Sequence, residues 1–144
     1  MKEIQKILVP VDYSDNSKKV LESAVFLAGK CDAHLHVIYV VQSFDDYSGF
    51  FVPHTPIATF EKEMVDSAEL KMESFIAEYE GASASVLSGD VAEEIVGYAD
   101  QHAFDLIVMG THGYKGLEKI MFGSVAGKVV KSAPCPVMTI NPYR

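Results

Sequence analysis

The residues of this chain best suited to bind a small anion lie near its C-terminus, in the stretch "MGTHGYKGLEKIMFGSVAGK", residues 109–128. It has glycines at positions 110, 113, 116, 123 and 127, after a run typical of a strand and before one typical of a helix. Glycine lets backbone N–H groups approach an anion, and the first turn of a helix offers unpaired N–H donors. Ser124 adds a hydroxyl there. The stretch therefore favours phosphate binding, although a turn-forming loop would need similar glycines.

Two familiar phosphate-binding motifs do not fit the chain. A Walker-type P-loop has four residues between its first glycine and its Gly-Lys pair, which is followed by Ser or Thr. Here three residues separate Gly123 from Gly127, and Val129 follows Lys128. The first predicted strand–helix turn, "PVDYSDNS", has no glycine, so it offers neither a dinucleotide-binding fingerprint nor a flavodoxin-type FMN loop.

Five apolar runs of strand length, separated by segments with helical periodicity, indicate βαβ units and an α/β fold with a mainly parallel sheet. The third run is mixed in polarity, and the fifth opens with prolines, which cannot donate to a ladder. These two strands are therefore the expected edges of the sheet. The predicted strands are residues 6–11, 34–41, 83–87, 105–110 and 136–140.

Four amphipathic helices are predicted between these strands. Ser14 is the expected N-cap of the first helix, and Asp90 with Glu93 forms a capping-box-like start for the third. The second helix covers the periodic apolar residues of segment 60–79, and the fourth begins at residues 123–124. Each helix can cover one face of the sheet.

The segment 42–59 breaks both periodicities and is predicted to be a long connection. Its aromatic residues Phe44, Tyr47, Phe50 and Phe51 are unusual for a solvated loop. It is either a lid over a ligand or partner surface, or a loop packed on its own aromatic rings.

Length, composition and charge restrict the class of protein. With 144 residues, 49% hydrophobic and 22% charged, the chain is expected to form a single globular domain, residues 1–144. Its net charge of −8, with no basic stripe, argues against a nucleic-acid partner. The N-terminus lacks a membrane span and a cleavage site, so we expect a cytoplasmic protein without a membrane partner. Cys31 and Cys135 lack metal-ligand spacing and are expected to be buried or half-buried thiols.

Several blocks of the sequence resemble the universal stress protein family. The pattern G-x2-G-x9-G-[ST], matched by Gly110, Gly113, Gly123 and Ser124, is similar to the ATP-binding signature of that family. The blocks "KILVPVDYS", "LHVIYVV", "DLIVMGTHG" and "FGSVAGKVVKSAPCPVMTI" resemble, in this order, its first, second and fourth strands and its closing helix and strand. The resemblance implies an open, doubly wound, five-stranded parallel sheet of order 3-2-1-4-5 with helices on both faces.

The same resemblance implies where ATP, with Mg²⁺, would bind, because the carboxyl ends of strands one and four would be adjacent. Pro10 and Val11 would contact the adenine, and Val40 would offer it backbone polar groups. Asp12 would lie near the ribose or a Mg²⁺ ion bound to the phosphates. The residues under the nucleotide and around its phosphates would be Met109, Gly110, Gly113, Gly123, Ser124 and Val125.

These implied contacts have structural alternatives. Asp12 would also serve as a cap for the first helix, and Val40 and Met109 would be core residues in any such sheet. His112 has no identifiable partner that would make it a general base. Tyr114 stands where the family commonly has a basic residue, which places a bulky ring beside the phosphate loop.

The function expected from the resemblance is that of an ATP-binding, stress-response regulatory protein. Hydrolysis or autophosphorylation would be slow at most, because the chain offers neither a Walker lysine nor an identifiable water-positioning base. The resemblance also implies a homodimer formed through the last strand, within "CPVMTINP". The alternative is a nucleotide-independent, dimeric protein-interaction module.

Overall fold

The computed structural model describes residues 2–43, 54–111 and 123–144, without the side chains of residues 54–58. Within these ranges strands and helices alternate along the chain, as predicted. The elements are β1 (Lys6–Pro10), α1 (Asp15–Cys31), β2 (His34–Gln42), α2 (His54–Ile76), β3 (Ser83–Gly89), α3 (Val91–Gln101), β4 (Leu106–Gly110), α4 (Ser124–Ser132) and β5 (Val137–Ile140).

The five strands form one parallel sheet of order β3-β2-β1-β4-β5. Strand β1 pairs with β2 on one side, with Ile7 opposite Leu35, and with β4 on the other, with Ile7 opposite Leu106. The strand order reverses between β1 and β4, and ligands of open α/β sheets bind at such a point. The predicted topology and the two predicted edge strands, β3 and β5, are confirmed.

Successive side chains of the central strands point to opposite faces of the sheet, which produces one hydrophobic core on each face. Ile7 and Val9 of β1 face the cluster that contains Leu21 of α1 and Met72 of α2. Leu8, between them, faces the cluster formed with α3 and α4. Both faces of β1 are therefore apolar, which explains its uninterrupted hydrophobic sequence.

The helix starts at the carboxyl edge of the sheet agree with the predicted caps. The Ser14 side chain accepts a hydrogen bond from the Ser17 N–H of α1, and that of Asp90 accepts one from the Glu93 N–H of α3. Helix α4 differs, because its N-cap is Gly123 and no side chain caps it. Among the described residues, no side chain accepts from its first N–H groups as Ser14 and Asp90 do in α1 and α3.

The predicted connection 42–59 is wrong at both ends. Gln42 belongs to β2, and α2 begins at His54, so residues 54–59 of that segment are helical. Pro56 misled the prediction, since a proline in the first turn of a helix removes only an N–H that has no intrahelical partner. Helix α2 also ends before Tyr79, whose N–H donates to the Ile76 carbonyl in the turn that follows.

The central part of that connection, with Phe44, Tyr47, Phe50 and Phe51, lies outside the described residues. Two apolar residues of the amphipathic helices are exposed, since Val25 of α1 is 39% and Val130 of α4 is 49% exposed. Each lies at the border of its helix's apolar face, where periodicity alone does not separate core from solvent.

Cys31 and Cys135 are half-buried free thiols, as predicted. Burial raises the pKa of the Cys135 thiol, which favours its protonated, unreactive form. In the part of the chain that the structure describes, none of the helices has the length and apolar character needed to cross a membrane.

Candidate functional site

The carboxyl ends of β1 and β4 lie side by side, since Leu8 pairs with Ile107 two residues before β1 ends. Asp12 follows β1 and Thr111 follows β4, so residues far apart in the chain meet at one edge of the sheet. The Thr111 carbonyl accepts a hydrogen bond from the Gly123 N–H at 2.8 Å, which ties the start of α4 to the end of β4. Three chain segments thus converge where the strand order reverses.

Asp12 organises the turn between β1 and α1. Its Oδ1 accepts hydrogen bonds from the Ser14 N–H at 3.0 Å, from the Ser14 hydroxyl, and from the Ser17 hydroxyl at 2.6 Å. The Asp12 N–H donates in return to the Ser17 Oγ at 2.8 Å. Both serines are buried, so this network satisfies polar groups that water reaches poorly. Asp12 therefore holds the N-cap residue Ser14 in place, and Ser14 rather than Asp12 caps α1.

A cavity of about 350 Å³ opens at this edge. Its described walls combine apolar side chains of the strand ends with the first turns of α1, α3 and α4. Asp12 is the one titratable side chain among these described lining residues. They are Pro10, Val11, Asp12, Asn16, Ser17, Val20, Val91, Ile95, Met109, Gly110, Thr111, Gly123, Ser124, Val125 and Ala126.

Most of the residues assigned to the site from the sequence line this cavity. Gly113 lies outside the described residues, as do His112 and Tyr114. Val40 is described but does not line the cavity. The predicted residues that do so are Pro10, Val11, Asp12, Met109, Gly110, Gly123, Ser124 and Val125.

Val40 occupies the core position that was its structural alternative. Its side chain is 8% exposed and belongs to the cluster that also contains Leu8 and Met109. The Ile38 carbonyl accepts a hydrogen bond from the Val11 N–H at 2.9 Å, so Ile38 directs its backbone groups toward β1. Because alternate residues of a strand face the same neighbour, the backbone groups of Val40 point to that side too, beyond the end of β1.

Several lining residues were missed in the sequence. Asn16 and Ser17 lie in the first turn of α1, and the cap assigned to Ser14 was a signal that this turn starts at the edge. Val91 and Ile95 lie in the first two turns of α3, whose N-cap is Asp90. No sequence pattern indicated that α3 reaches a cavity between β1 and β4.

The described residues contain no cluster of three or more His, Cys, Asp or Glu side chains suited to hold a metal ion. The site therefore offers a single carboxylate, that of Asp12, to a cation. Mg²⁺ is commonly held by one or two carboxylates together with substrate phosphates and water. The residues present fit an ion carried by a polyphosphate better than an independent metal site.

A second polar cluster, which we call the histidine cluster, lies at the opposite, amino edge of the sheet. The Ser83 hydroxyl is hydrogen-bonded to His34 Nε2 at 2.7 Å and to His36 Nδ1 at 2.5 Å. His36 Nε2 lies 3.0 Å from both the Ser85 hydroxyl and the Tyr98 hydroxyl. All of these groups find partners within the cluster.

The surroundings of His36 favour its neutral form. Burial, followed by the nearby charges of His34, His102 and Lys6, lowers its pKa from 6.5 to about 4. The ring stacks on Tyr98 with 5.5 Å between centroids. At neutral pH His36 is therefore an uncharged, half-buried hydrogen-bonding residue.

Comparison with known proteins agrees with this geometry. The profile described as "Universal stress protein family" matches residues 3–141. Universal stress protein MJ0531 of Methanocaldococcus jannaschii is 40% identical over 144 residues, which span 95% of this chain and 82% of that protein. The solved structure of MJ0577, from the same organism, superposes with a TM-score of 0.84 at 26% identity over 97% of each chain. The universal stress protein of Archaeoglobus fulgidus in complex with dAMP gives a TM-score of 0.58 at 27% identity, over 96% of this chain and 99% of that one.

Proposed function

The chain belongs to the universal stress protein family, and we propose that it binds an adenine nucleotide, ATP with Mg²⁺, in the cavity between β1 and β4. The observation that carries this proposal is the convergence of the uncapped start of α4 with Asp12 and Gly110 in one cavity. The cavity volume of about 350 Å³ is within the range of small-molecule sites.

The start of α4 is suited to the phosphates. The helix lacks a side-chain cap at Gly123, and the hydroxyl of Ser124 stands in its first turn. A phosphate oxygen at this point would accept the N–H bonds that a capping side chain would otherwise take, and the helix dipole would favour its charge. Gly113, in the segment between Thr111 and Gly123, is proposed to add a further N–H near the phosphates.

The other wall is suited to the nucleoside. Pro10, Val11 and Met109 present apolar surface on which a purine can lie. The backbone groups of Val40, which point past the end of β1, can serve the adenine edge. Since Asp12 Oδ1 is engaged by Ser14 and Ser17, we assign Oδ2 to a ribose hydroxyl or to Mg²⁺ on the phosphates. The dAMP complex of the Archaeoglobus fulgidus protein supports this ligand class.

We propose a regulatory nucleotide binder with hydrolysis or autophosphorylation that is slow at most. The one titratable side chain among the described lining residues is Asp12, and its Oδ1 is already an acceptor in three hydrogen bonds. Binding alone does not stabilise a transition state over the ground state. A stress-response role would then depend on nucleotide occupancy rather than on turnover.

Calorimetric titration of ATP with MgCl₂ tests the proposal. We expect saturable binding to the wild-type protein and a loss of about 100-fold in affinity for Gly110→Val, whose isopropyl group would occupy cavity space. Gly127→Ala is the matched control, since an added Cβ at this α4 glycine meets nothing within 4 Å. The absence of binding to the folded wild-type protein would reject nucleotide binding and favour the protein-interaction module.

We also propose that β5 pairs with β5 of a second copy to form a homodimer. Strand β5 is an edge of the sheet, and Met138 is 41% exposed. The carbonyls of Pro136 and Ile140 accept hydrogen bonds from the β4 side, so the intervening Thr139 directs its N–H outward. Such an unpaired edge can recruit another strand.

Sedimentation of Thr139→Pro tests the dimer, because proline removes only the outward N–H and spares the bonds to β4. We expect a dimeric wild-type protein and a monomeric, folded variant. A monomeric wild-type protein at micromolar concentration would refute pairing through β5.

A further inference from the structure

Tyr13 occupies an unusual backbone position between the proposed site and α2. It stands between Asp12, which lines the cavity, and Ser14, the N-cap of α1. Its φ angle is 64°, in the left-handed region that bulky residues rarely adopt. A conformation of this kind persists only where surrounding contacts hold it, and it commonly occurs at functional sites.

The contacts that hold Tyr13 come mainly from α2 and β2. Its hydroxyl donates to the Ala68 carbonyl of α2 at 2.7 Å. Its ring stacks on Tyr39 of β2 with 4.4 Å between centroids, and it meets Phe75 of α2 edge-on at 5.5 Å. Burial raises the pKa of the Tyr13 phenol further above its ordinary value.

We propose that Tyr13 is a positioning residue for the nucleotide site, holding the Asp12 carboxylate in place by anchoring the β1–α1 turn to α2. This inference rests on the proposed function of the cavity. Because Tyr13 is the next residue after Asp12, a change in its φ angle would rotate the chain through which Asp12 reaches Ser14 and Ser17. The ring does not line the cavity, so its effect on the ligand passes through Asp12.

The same contacts make the site sensitive to the state of α2. Tyr13 also lines a groove of about 290 Å³ on the α2 side, together with Tyr39, Met64 and Lys71. Tyr13 thus lines this groove, while the preceding residue, Asp12, lines the nucleotide cavity. If the Tyr13–Ala68 hydrogen bond strengthens nucleotide binding, then bound nucleotide must equally stabilise that hydrogen bond, because the coupling between two sites is reciprocal. Nucleotide should therefore protect the α2 amides around Ala68 from hydrogen exchange.

Tyr13→Phe and Tyr98→Phe form a matched pair for the test. Each removes one hydrogen-bonded phenol hydroxyl, but the Tyr98 hydroxyl belongs to the histidine cluster at the opposite edge. Both variants should lose stability in urea to a similar degree. Only Tyr13→Phe should bind ATP with Mg²⁺ more weakly, by about 3- to 10-fold, and Tyr13→Ala should lose more than 10-fold.

Hydrogen exchange with and without nucleotide provides the second readout. We expect nucleotide to slow exchange in α2 of the wild-type and Tyr98→Phe proteins, with a smaller effect in Tyr13→Phe. Wild-type affinity in Tyr13→Phe, or an equal loss of affinity in Tyr98→Phe, would overturn the positioning role while leaving the proposed function intact. No binding to the wild-type protein would overturn both.

Discussion

The two edges of the sheet use similar polar groups in different ways. At the amino edge, His36, Ser83, Ser85 and Tyr98 are hydrogen-bonded to one another, so their donors and acceptors are consumed within the histidine cluster. At the carboxyl edge, Asp12 is bonded to two serines but also lines a cavity. The first arrangement contributes to stability alone, and the second can serve stability and a ligand together.

The difference lies in the helix ends. Helices begin at the carboxyl edge, so their N–H donors are directed there, and in the described ranges no side chain accepts from those of α4. At the amino edge, α3 ends and its Tyr98 fills the space between helix and sheet. A substitution at the carboxyl edge should therefore change affinity and stability, whereas one at the amino edge should change stability only.

Asp12→Ala should produce the largest effect. Removing an acceptor of three hydrogen bonds at buried serines is expected to lower the free energy of unfolding by about 2–4 kcal/mol and ATP affinity by about 100-fold. Asp12→Asn keeps an oxygen for Ser14 and Ser17, so it should lose less than about 1 kcal/mol yet still bind ATP more weakly. Urea denaturation and calorimetry separate the two losses. Unchanged ATP affinity in Asp12→Ala would contradict a role of the carboxyl edge in binding the nucleotide.

Acid should lower the free energy of unfolding through His36, at the amino edge of the sheet. Its folded-state pKa of about 4 lies below the unfolded value of 6.5, so the unfolded chain binds more protons between these values. Stability from this group is present above pH 6.5 and is lost as the pH falls toward 4, by about 1–2 kcal/mol after allowance for the solvent that reaches a half-buried ring.

Urea denaturation of the wild-type protein and His36→Gln at pH 7 and pH 5 measures this loss. The variant should be less stable at pH 7, with a smaller decrease at pH 5, and its ATP affinity at pH 7 should match that of the wild type. A parallel decrease in both proteins would assign the acid sensitivity to other groups.

The caps provide a smaller contrast within the carboxyl edge. Asp90→Ala removes one capping bond to Glu93 and should lower the free energy of unfolding by about 1 kcal/mol. Ser14→Ala removes the cap of α1 and also a donor to Asp12, so it should lower stability by about 1–2 kcal/mol and weaken ATP binding as well. Equal effects of the two variants on ATP affinity would show that the turn containing Asp12 contributes no more to nucleotide binding than the start of α3 does.

The smallest effect is expected from two helical glycines. An added Cβ at Gly97 of α3 or Gly127 of α4 meets nothing within 4 Å. Gly97→Ala and Gly127→Ala should each raise the free energy of unfolding by about 0.5–1 kcal/mol, because alanine loses less backbone entropy in a helix. Thermal unfolding measures the gain. Destabilisation at Gly127 would indicate that α4 needs a close approach there.

The strands and the starts of α1 and α3 were accessible from the sequence because strong local patterns determine them. The apolar runs have the length and uniformity of doubly covered strands, and Ser14 and Asp90 have the side chains that cap helices. The order β3-β2-β1-β4-β5 came from the family resemblance rather than from periodicity alone. The start of α2 was missed because Pro56 reads as a turn residue when its position in the helix is unknown.

The cavity was predictable only in part. Glycine spacing and resemblance indicated Gly110, Gly123 and Ser124, which line it. Ile95 and Asn16 reach the cavity through the packing of helices on the sheet, and a linear pattern does not record that packing. The left-handed backbone of Tyr13 gave no signal either, because tyrosine is not a residue type that predicts such a conformation.

The start of α4 can attract an anion only at short range. The whole chain has a formal net charge of −8, so a triphosphate at a distance meets a repulsive field. The Gly123 N–H donates to the Thr111 carbonyl, so the attraction comes from the N–H groups of the first turn of α4, beginning at Ser124, and acts only at short range. Added salt, which screens the long-range repulsion more than contacts inside the cavity, should therefore speed the arrival of ATP rather than slow it.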